Sequence, residues 1–268
     1  MTNETMGLTP YADVNALLDA LVAGAKTTLG DKLVGFYLYG SLIWGGFEHD
    51  VSDIDTLAAV SAPVTGAELE RLRTMHDGIA QSFPSWSDRV EVQYQSLEGL
   101  RTFRDRHSPM AVISPGEPMH IVEAGPEWLL NWYFVRAYGI TLFGPPPETI
   151  IDTITKQEFI DGVRDHALEW RNYIAGTRGS RSYQGYAILT LCRAWYTLTH
   201  GEQVSKRQAA LWMMQRVPEH ATLIDEALQW RERYRDGDAD PAQTYPAARG
   251  FVLDMVDRIE AMGRGMVR

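Results

Sequence analysis

The sequence predicts an α/β (α+β) fold: a domain with a mixed sheet in residues 1–150, followed by an all-α helical bundle in residues 151–268. Three observations support this division. In the first part, short apolar runs rich in β-branched and aromatic residues alternate with amphipathic helical patterns. In the second part, helical periodicity dominates. Between them, residues 139–150 contain three consecutive prolines after a glycine, and no periodic pattern continues through them.

The first part contains two predicted helices and three predicted strands. The helices are NALLDALVAGAKTTLG, which ends at Gly30, and GAELERLRTMHDGIAQSF. The strands are VGFYLYG, DTLAAV and RVEVQYQ, and each is a run typical of one sheet with a buried face.

The second part shows apolar residues at three- and four-residue steps. One series is Phe159, Val163, Ala167 and Trp170, and the other is Ala187, Leu191, Trp195 and Leu198. This spacing places each series on one face of a helix. Further helices are predicted over about 205–216, 219–235 and 243–262, so the second part is expected to be a bundle.

The composition indicates an intracellular enzyme. A single cysteine, Cys192, cannot form an internal disulfide, which favours a reducing compartment. The amino terminus has no basic start followed by an apolar stretch, so no signal peptide is predicted. No segment approaches the roughly 18 uninterrupted apolar residues of a membrane span. We therefore expect a cytoplasmic protein with no membrane partner.

The excess negative charge lies in the first part. Residues 1–150 carry nine Lys and Arg against nineteen Asp and Glu, whereas residues 151–268 carry sixteen of each. Proteins bind nucleic acid mainly through Lys and Arg, so no nucleic-acid partner is expected. An acidic cleft would instead concentrate a cationic small molecule, although a negative surface also serves solubility alone.

Residues 37–55, YLYGSLIWGGFEHDVSDID, contain a candidate metal and triphosphate site. Gly40 and Ser41 follow an apolar strand, and a Gly-Ser turn lets the backbone approach a phosphate closely. Asp53 and Asp55 lie two residues apart, so on a strand their carboxylates project from the same face. Hard divalent cations that bind phosphate prefer such oxygen ligands.

The order of these residues resembles the nucleotidyltransferase superfamily of DNA polymerase beta. The matching features are the Gly-Ser turn, a following glycine at Gly45 or Gly46, and the Ser52-Asp53-x-Asp55 segment. The resemblance implies a polymerase-beta-like nucleotidyltransferase domain. It also implies that Asp53 and Asp55 bind Mg²⁺, two ions in all, and that Gly40, Ser41 and Ser52 contact the phosphates of a nucleotide.

A third acidic residue lies in the strand RVEVQYQ. Strand alternation places Val90, Val92 and Tyr94 on one face and Glu91 with Gln93 on the other. In the superfamily such an acid is a third metal ligand or the general base for the acceptor hydroxyl, and the sequence leaves both roles open for Glu91. The alternative is a solvent-facing glutamate on an edge strand.

Residues 187–219, AILTLCRAWYTLTHGEQVSKRQAALWMMQRVPE, resemble the helical domain of the aminoglycoside 3″- and 9-adenylyltransferases that inactivate streptomycin and spectinomycin. In that family an arginine and a lysine at these positions reach across an interdomain cleft to the nucleotide phosphates. The resemblance therefore implies that Arg193 and Lys206 bind ATP and that Tyr234 stacks on the adenine. A site of this kind would work in a monomer, although the sequence leaves the oligomeric state open.

The chain departs from the family in the segment before the LxRxWY helix. In streptomycin-modifying members this segment supplies acidic and aromatic residues, whereas here IAGTRGSRSYQG carries Arg178 and Arg181 and no acid. A cationic ligand would be repelled there. Glu127, Trp128, Trp132 and Trp170 are other candidates for binding the acceptor, although helix-core packing is the more common role of such residues.

The sequence as a whole predicts an enzyme that transfers AMP from ATP to a hydroxyl of a small cationic aminoglycoside or aminocyclitol. Two alternatives remain open. In the first, the enzyme transfers the nucleotide to a protein side chain or another small molecule. In the second, the chain is a non-catalytic, nucleotide-binding or antitoxin-like protein. Three carboxylates argue against the second alternative, because a binding module does not need a positioned base.

Overall fold

The structure is a computed structural model that describes residues 7–232 and 240–265, which form two compact units. Of the described residues, unit 1 comprises 7–43 and 52–153, and unit 2 comprises 44–51, 154–232 and 240–265. The segment 44–51 therefore belongs to unit 2, although the chain enters and leaves it from unit 1.

Unit 1 contains a six-stranded sheet with helices on its two faces. The strands are β1 Leu33–Tyr39, β2 Ile54–Val60, β3 Val90–Ser96, β4 Ser108–Ser114, β5 Glu117–Ala124 and β6 Ile140–Phe143. Its helices are α1 Ala12–Leu29, α3 Gly66–Ser82, α4 Leu97–Thr102 and α5 Leu129–Tyr138. The short helix α2 Ser41–Trp44 follows β1 and ends at Trp44, the first residue of the segment 44–51.

The sheet is mixed, as the sequence predicts, with strand order β5-β4-β3-β2-β1-β6. Among the described strands, β2 and β3 form a parallel pair, and every other neighbouring pair is antiparallel. Helix α3 makes the connection that a parallel pair requires. The three predicted strands are confirmed as β1, β2 and β3, whereas β4, β5 and β6 were not predicted as strands.

Two layers of helix cover the sheet. Helices α1 and α3 pack together, and the His76 imidazole of α3 is hydrogen-bonded to the Tyr94 hydroxyl of β3 at 2.9 Å. On the opposite face, Trp132 of α5 is fully buried and its ring lies edge-on to Phe103, with centroids 4.9 Å apart. Tyr94 and its neighbour Gln93 point to opposite faces, as alternation requires. The core is therefore split by the sheet into two apolar layers.

The described part of unit 2 is helical apart from short connections. Its helices are α6 Lys156–Tyr173, α7 Arg181–His200, α8 Lys206–Met214, α9 Ala221–Glu232 and α10 Pro241–Gly265. Helix α7 is central, because α6, α8, α9 and α10 all pack against it. The predicted helical bundle is confirmed, and part of the helix predicted over 219–235 lies outside the described residues.

Local sequence signals set the starts of two helices in unit 2. Thr155 and Glu158 form a capping box at α6, and Ser205 and Gln208 form one at α8. Each box satisfies backbone N–H groups that have no partner inside the helix. None of the described helices has the length and apolar character that a membrane crossing demands.

Burial of His76 predicts a pH-dependent stability. The side chain is 5% exposed, and burial lowers its pKa from 6.5 to about 4. Between these values the unfolded chain binds a proton that the folded chain does not, so stability is lost as pH falls from 6.5 to 4. We expect the stability advantage of the wild type over His76→Gln to shrink by about 3 kcal/mol between pH 7 and pH 4.

Urea unfolding at a series of pH values, followed by fluorescence, measures this difference. A His76→Gln difference that does not change with pH would show that the imidazole is not held neutral by burial.

Candidate active site

Three neighbouring strands, β1, β2 and β3, place the side chains of Tyr39, Asp55 and Glu91 in one row. In the parallel pair, Asp55 of β2 lies directly opposite Glu91 of β3, and on its other side Asp55 lies opposite Tyr39 of β1. Asp53 immediately precedes the first residue of β2. The structure therefore brings the three predicted carboxylates to one end of the sheet, on strands in its interior. The alternative of an edge-strand glutamate is wrong.

The donor set of this row suits a hard cation. Carboxylate oxygens are the ligands that Mg²⁺ prefers, and Asp53, Asp55 and Glu91 supply up to six of them. Within the described residues the oxygens of all three do not come within 4.8 Å of one another, so a shared ion would draw these side chains closer. Burial, together with the charge of Asp53, raises the pKa of Glu91. A bound cation would relieve this repulsion.

A different group of potential metal ligands, in unit 2, is more compact. Glu219, His220 and Asp254 offer ligand atoms within 4.8 Å of one another. The Arg258 guanidinium donates to Glu219 at 2.8 Å and to Asp254 at 3.1 Å. Arg258 thus already compensates both carboxylates, and the cluster is an ion-pair network between the segment before α9 and helix α10.

The Gly-Ser turn follows β1 directly. Gly40 has a φ of +80°, and a Cβ at this position would overlap the Asp55 carboxylate. Only glycine combines this backbone conformation with so close an approach. The Ser41 hydroxyl oxygen is buried and has no hydrogen-bond partner in the described part of the chain. Such an atom is costly unless a ligand or water satisfies it, so the turn is suited to binding one.

The backbone before the aspartates is held by a residue that the sequence analysis missed. Ser52 is 2% exposed, and its carbonyl accepts hydrogen bonds from Nε and Nη2 of Arg89. The buried guanidinium lies over the Trp86 ring, 4.2 Å from its centroid, and the Trp86 indole donates to Asp13 at 3.0 Å. Arg89 thus fixes the start of β2. The available signal was its position as the first residue of the predicted strand RVEVQYQ.

Glu91 lies in a hydrogen-bonded cluster that the sequence analysis also missed. Gln93 donates to Glu91 Oε1 at 2.9 Å, and the Tyr39 hydroxyl lies 3.2 Å from the same oxygen. Asn131 of α5 donates to the Tyr39 hydroxyl at 3.0 Å. Burial, then the charges of Glu91 and Asp55, raise the pKa of Tyr39 well above its ordinary value. The hydroxyl therefore stays protonated and available as a donor.

The predicted basic residues lie in unit 2. Arg193 is on α7, seven residues after Tyr186 and therefore on the same face of that helix. Lys206 is the first residue of α8, and its ammonium lies 4.2 Å from the centroid of the Tyr186 ring. Tyr186 thus shares a helix face with Arg193 and contacts the ammonium of Lys206. Tyr234 lies outside the described residues.

Aromatic residues surround this face of unit 2. Tyr183 and Tyr186 are 51% and 40% exposed, and their rings stack with centroids 5.7 Å apart. The candidates Trp132 and Trp170 are instead buried, as helix-core residues are. Glu127 accepts from the Gly125 backbone N–H at 2.9 Å. Of these aromatic residues, Tyr183 and Tyr186 are therefore the ones that unit 2 exposes to a ligand.

The segment 44–51 contacts the helices of unit 2 through an ion pair and a close backbone approach. Glu48 forms an ion pair with Arg231 of α9. Gly45 and Gly46 both have positive φ, but a Cβ would be unobstructed at Gly45 and would overlap Ser205 at Gly46. Of the two glycines in the motif, Gly46 is therefore the one that a close contact requires.

Comparisons with known proteins support the similarity first seen in the motifs. Residues 149–258 match the family model for the carboxyl-terminal domain of aminoglycoside adenylyltransferases. The chain is 31% identical over 251 residues to a spectinomycin 9-adenylyltransferase of Staphylococcus aureus, with 88% of this chain and 91% of the relative covered. It is 25% identical over 235 residues to an aminoglycoside (3″) (9) adenylyltransferase of Escherichia coli, with 81% and 85% covered.

A solved structure shares the fold. The crystal structure of spectinomycin adenyltransferase AAD(9) from Enterococcus faecialis with ATP and spectinomycin aligns with a TM-score of 0.68 and 18% identity. The alignment covers 88% of this chain and 98% of that one. The similarity therefore extends well beyond the carboxyl-terminal segment that the family model matches.

The contact between Gly40 and Asp55 predicts an unequal cost of two alanine substitutions. Gly40 and Gly116 have nearly equal φ values of +80° and +78°, but a Cβ at Gly116 meets nothing within 4 Å. Gly116→Ala should lose about 1 kcal/mol of unfolding free energy from backbone strain alone. Gly40→Ala should lose about 1–3 kcal/mol more, because Asp55 must move. Urea unfolding of both variants measures the difference, and equal losses would contradict the close approach.

Proposed function

This chain belongs to the aminoglycoside adenylyltransferase family, and on that premise we propose that it transfers AMP from ATP to a hydroxyl of an aminoglycoside or aminocyclitol antibiotic. The acceptor belongs to the spectinomycin and streptomycin class, and the second product is pyrophosphate. The observation that carries the proposal is the placement of Asp55 directly opposite Glu91, with Asp53 two residues before Asp55. Two candidate metal ligands therefore lie beside a candidate base.

The chemistry is a displacement at the α-phosphorus of ATP. Glu91 takes the proton as the O–H bond of the acceptor breaks and a new O–P bond forms. The bond between the α-phosphorus and the bridging oxygen breaks, and its electron pair leaves with pyrophosphate. Asp53 and Asp55, joined by Glu91, would hold Mg²⁺, two ions in all. When bound, magnesium neutralises negative charge on the triphosphate and on the departing pyrophosphate.

In this proposal five residues bind the phosphates of ATP: Gly40, Ser41, Ser52, Arg193 and Lys206. Gly40 allows close approach of the backbone, and the buried Ser41 hydroxyl supplies a hydrogen bond that it lacks within the described residues. Ser52 is a further phosphate ligand in the proposal. Arg193 and Lys206 contribute the positive charge that a triphosphate needs. Stacking of Tyr234 on the adenine stays a prediction from the family resemblance.

The acceptor is the least constrained part of the proposal. The excess of acidic residues in 1–150 favours a cationic acceptor over an anionic one. Arg178, by contrast, lies over the Tyr245 ring, 5.1 Å from its centroid, in the segment where streptomycin-modifying relatives carry acids. This basic segment favours spectinomycin, which carries fewer positive charges than streptomycin. It also keeps a different small-molecule or protein acceptor as the second candidate.

A pyrophosphate-release assay tests the function and the acceptor together. The purified chain is incubated with ATP, Mg²⁺ and, separately, spectinomycin, streptomycin, other aminoglycosides and buffer. We expect release with spectinomycin and none with buffer. Mass spectrometry should find the antibiotic heavier by one AMP. Omission of Mg²⁺ with added chelator should stop release, because without a cation the three carboxylates repel the negatively charged triphosphate.

The outcomes separate the alternatives. Release with streptomycin alone would contradict the inference drawn from the basic segment. No release with any antibiotic, in a protein that binds ATP by calorimetry, would favour a different acceptor. No ATP binding at all would contradict the nucleotidyltransferase site itself.

Glu91→Gln should lower kcat by about 10²–10⁴ while leaving ATP affinity intact, since an amide keeps the size of the carboxylate but cannot accept the proton. Steady-state kinetics measures kcat, and calorimetry measures ATP binding. Glu98→Gln is the matched control, because Glu98 lies on the surface, where it pairs with Arg106 at 2.9 Å. Turnover of Glu91→Gln at the control rate would eliminate Glu91 as the base.

A further inference from the structure

The hydroxyl group of Tyr39 is the centre of the cluster around Glu91. Tyr39 is 4% exposed, and three polar side chains surround its oxygen. The side-chain N–H₂ groups of Gln93 and Asn131 lie 2.6 and 3.0 Å away, and Glu91 Oε1 lies 3.2 Å away. The three partners come from two elements, since Gln93 and Glu91 are on β3 and Asn131 is on α5.

The direction of each hydrogen bond follows from the chemistry of the groups. An ionised carboxylate only accepts, so the Gln93 atom that contacts Glu91 Oε1 must be its nitrogen. The same nitrogen donates its second hydrogen to the Tyr39 oxygen. Asn131 fills the other acceptor position of that oxygen. The Tyr39 hydrogen therefore has one remaining direction, toward Glu91 Oε1.

This arrangement makes the two oxygens of Glu91 unequal. Oε1 accepts from both Tyr39 and Gln93. In the described part of the chain, Oε2 has one partner, the Ser114 hydroxyl, at a long 3.4 Å. Donors lower the basicity of the oxygen that accepts them. Oε2 is therefore the more basic oxygen and the one open to a new partner.

We propose that Tyr39, locked by Gln93 and Asn131, is a positioning residue that anchors Glu91 Oε1 and thereby directs Oε2 to receive the proton of the acceptor hydroxyl. The proposal rests on the proposed function, in which Glu91 is the base. The proton passes from the acceptor hydroxyl to Oε2 while the acceptor oxygen forms a bond to the α-phosphorus. The bond between the α-phosphorus and the bridging oxygen breaks, and pyrophosphate leaves with its electron pair. Tyr39 itself gives up no proton in this step.

The neighbouring residue Tyr37 provides a matched control. Both tyrosines are buried on β1, but the Tyr37 hydroxyl donates to the Pro145 carbonyl at 2.8 Å, away from Glu91. Phenylalanine at either position removes one buried hydroxyl from the same strand. A loss of activity that follows from general destabilisation would therefore affect both variants, whereas loss of positioning would affect Tyr39→Phe alone.

Steady-state kinetics is the first measurement. Tyr39→Phe should lower kcat by about ten- to a hundredfold, because the base is misaligned, with little change in the KM for the acceptor or in ATP affinity by calorimetry. Tyr37→Phe should keep the wild-type kcat. Asn131→Ala should lower kcat less than Tyr39→Phe, and the double variant should lose no more than Tyr39→Phe, since both changes break one network.

Crystal structures of the variants give a readout that does not depend on turnover. The Glu91 carboxylate should rotate in Tyr39→Phe and keep its position in Tyr37→Phe. An unmoved carboxylate, a wild-type kcat in Tyr39→Phe, or equal losses in the two phenylalanine variants would each overturn the proposal. If Glu91→Gln is inactive while Tyr39→Phe is fully active, positioning fails and the proposed function stands. If Glu91→Gln is active, the base assignment itself fails.

Discussion

The parallel pairing of β2 with β3 is the constraint on which the candidate site depends. Its register places Asp55 beside Glu91, and the helix α3 that connects the two strands covers the opposite face. A shift of one residue would turn Glu91 toward α3 and replace it with an apolar neighbour in the row. Tyr94 and His76 resist such a shift, because their hydrogen bond joins the strand to the helix. Packing on one face of the sheet thus fixes the strand register, and the register determines which side chains lie in the row on the other face.

Placing the carboxylates of Asp53, Asp55 and Glu91 close together is electrostatically unfavourable. Glu91 is desolvated near Asp53, and both effects favour its neutral form. Hydrogen bonds from Gln93, Tyr39 and Ser114 oppose these effects and favour the ionised form. The buried Ser41 hydroxyl adds a polar group without a partner among the described residues. Unsatisfied polar groups and crowded charges are expected where binding of substrate and cation, rather than folding, completes the interactions.

Much of the fold could be predicted from patterns within short segments. The strands β1 and β2 are mostly apolar runs, β3 alternates apolar and polar residues, and the helices of unit 2 repeat apolar residues at helical steps. The strands β4 and β5 were missed because prolines at 109 and 118 and polar residues interrupt their alternation. They lie at one end of the sheet, where β4 pairs with β3 and β5 pairs with β4, and this pairing rather than local propensity decides their conformation.

The sequence by itself determined the chemical groups of the site: a Gly-Ser turn after a strand, two aspartates on one face, and Glu91 on the polar face of its strand. Only the tertiary structure decided how they are held. Tyr39 reads as a core residue of β1, and its role arises from Asn131, 92 residues away. Arg89 supports Ser52 from 37 residues away. Periodicity reports which face a residue occupies, whereas a hydrogen bond requires a partner that folding alone brings within reach.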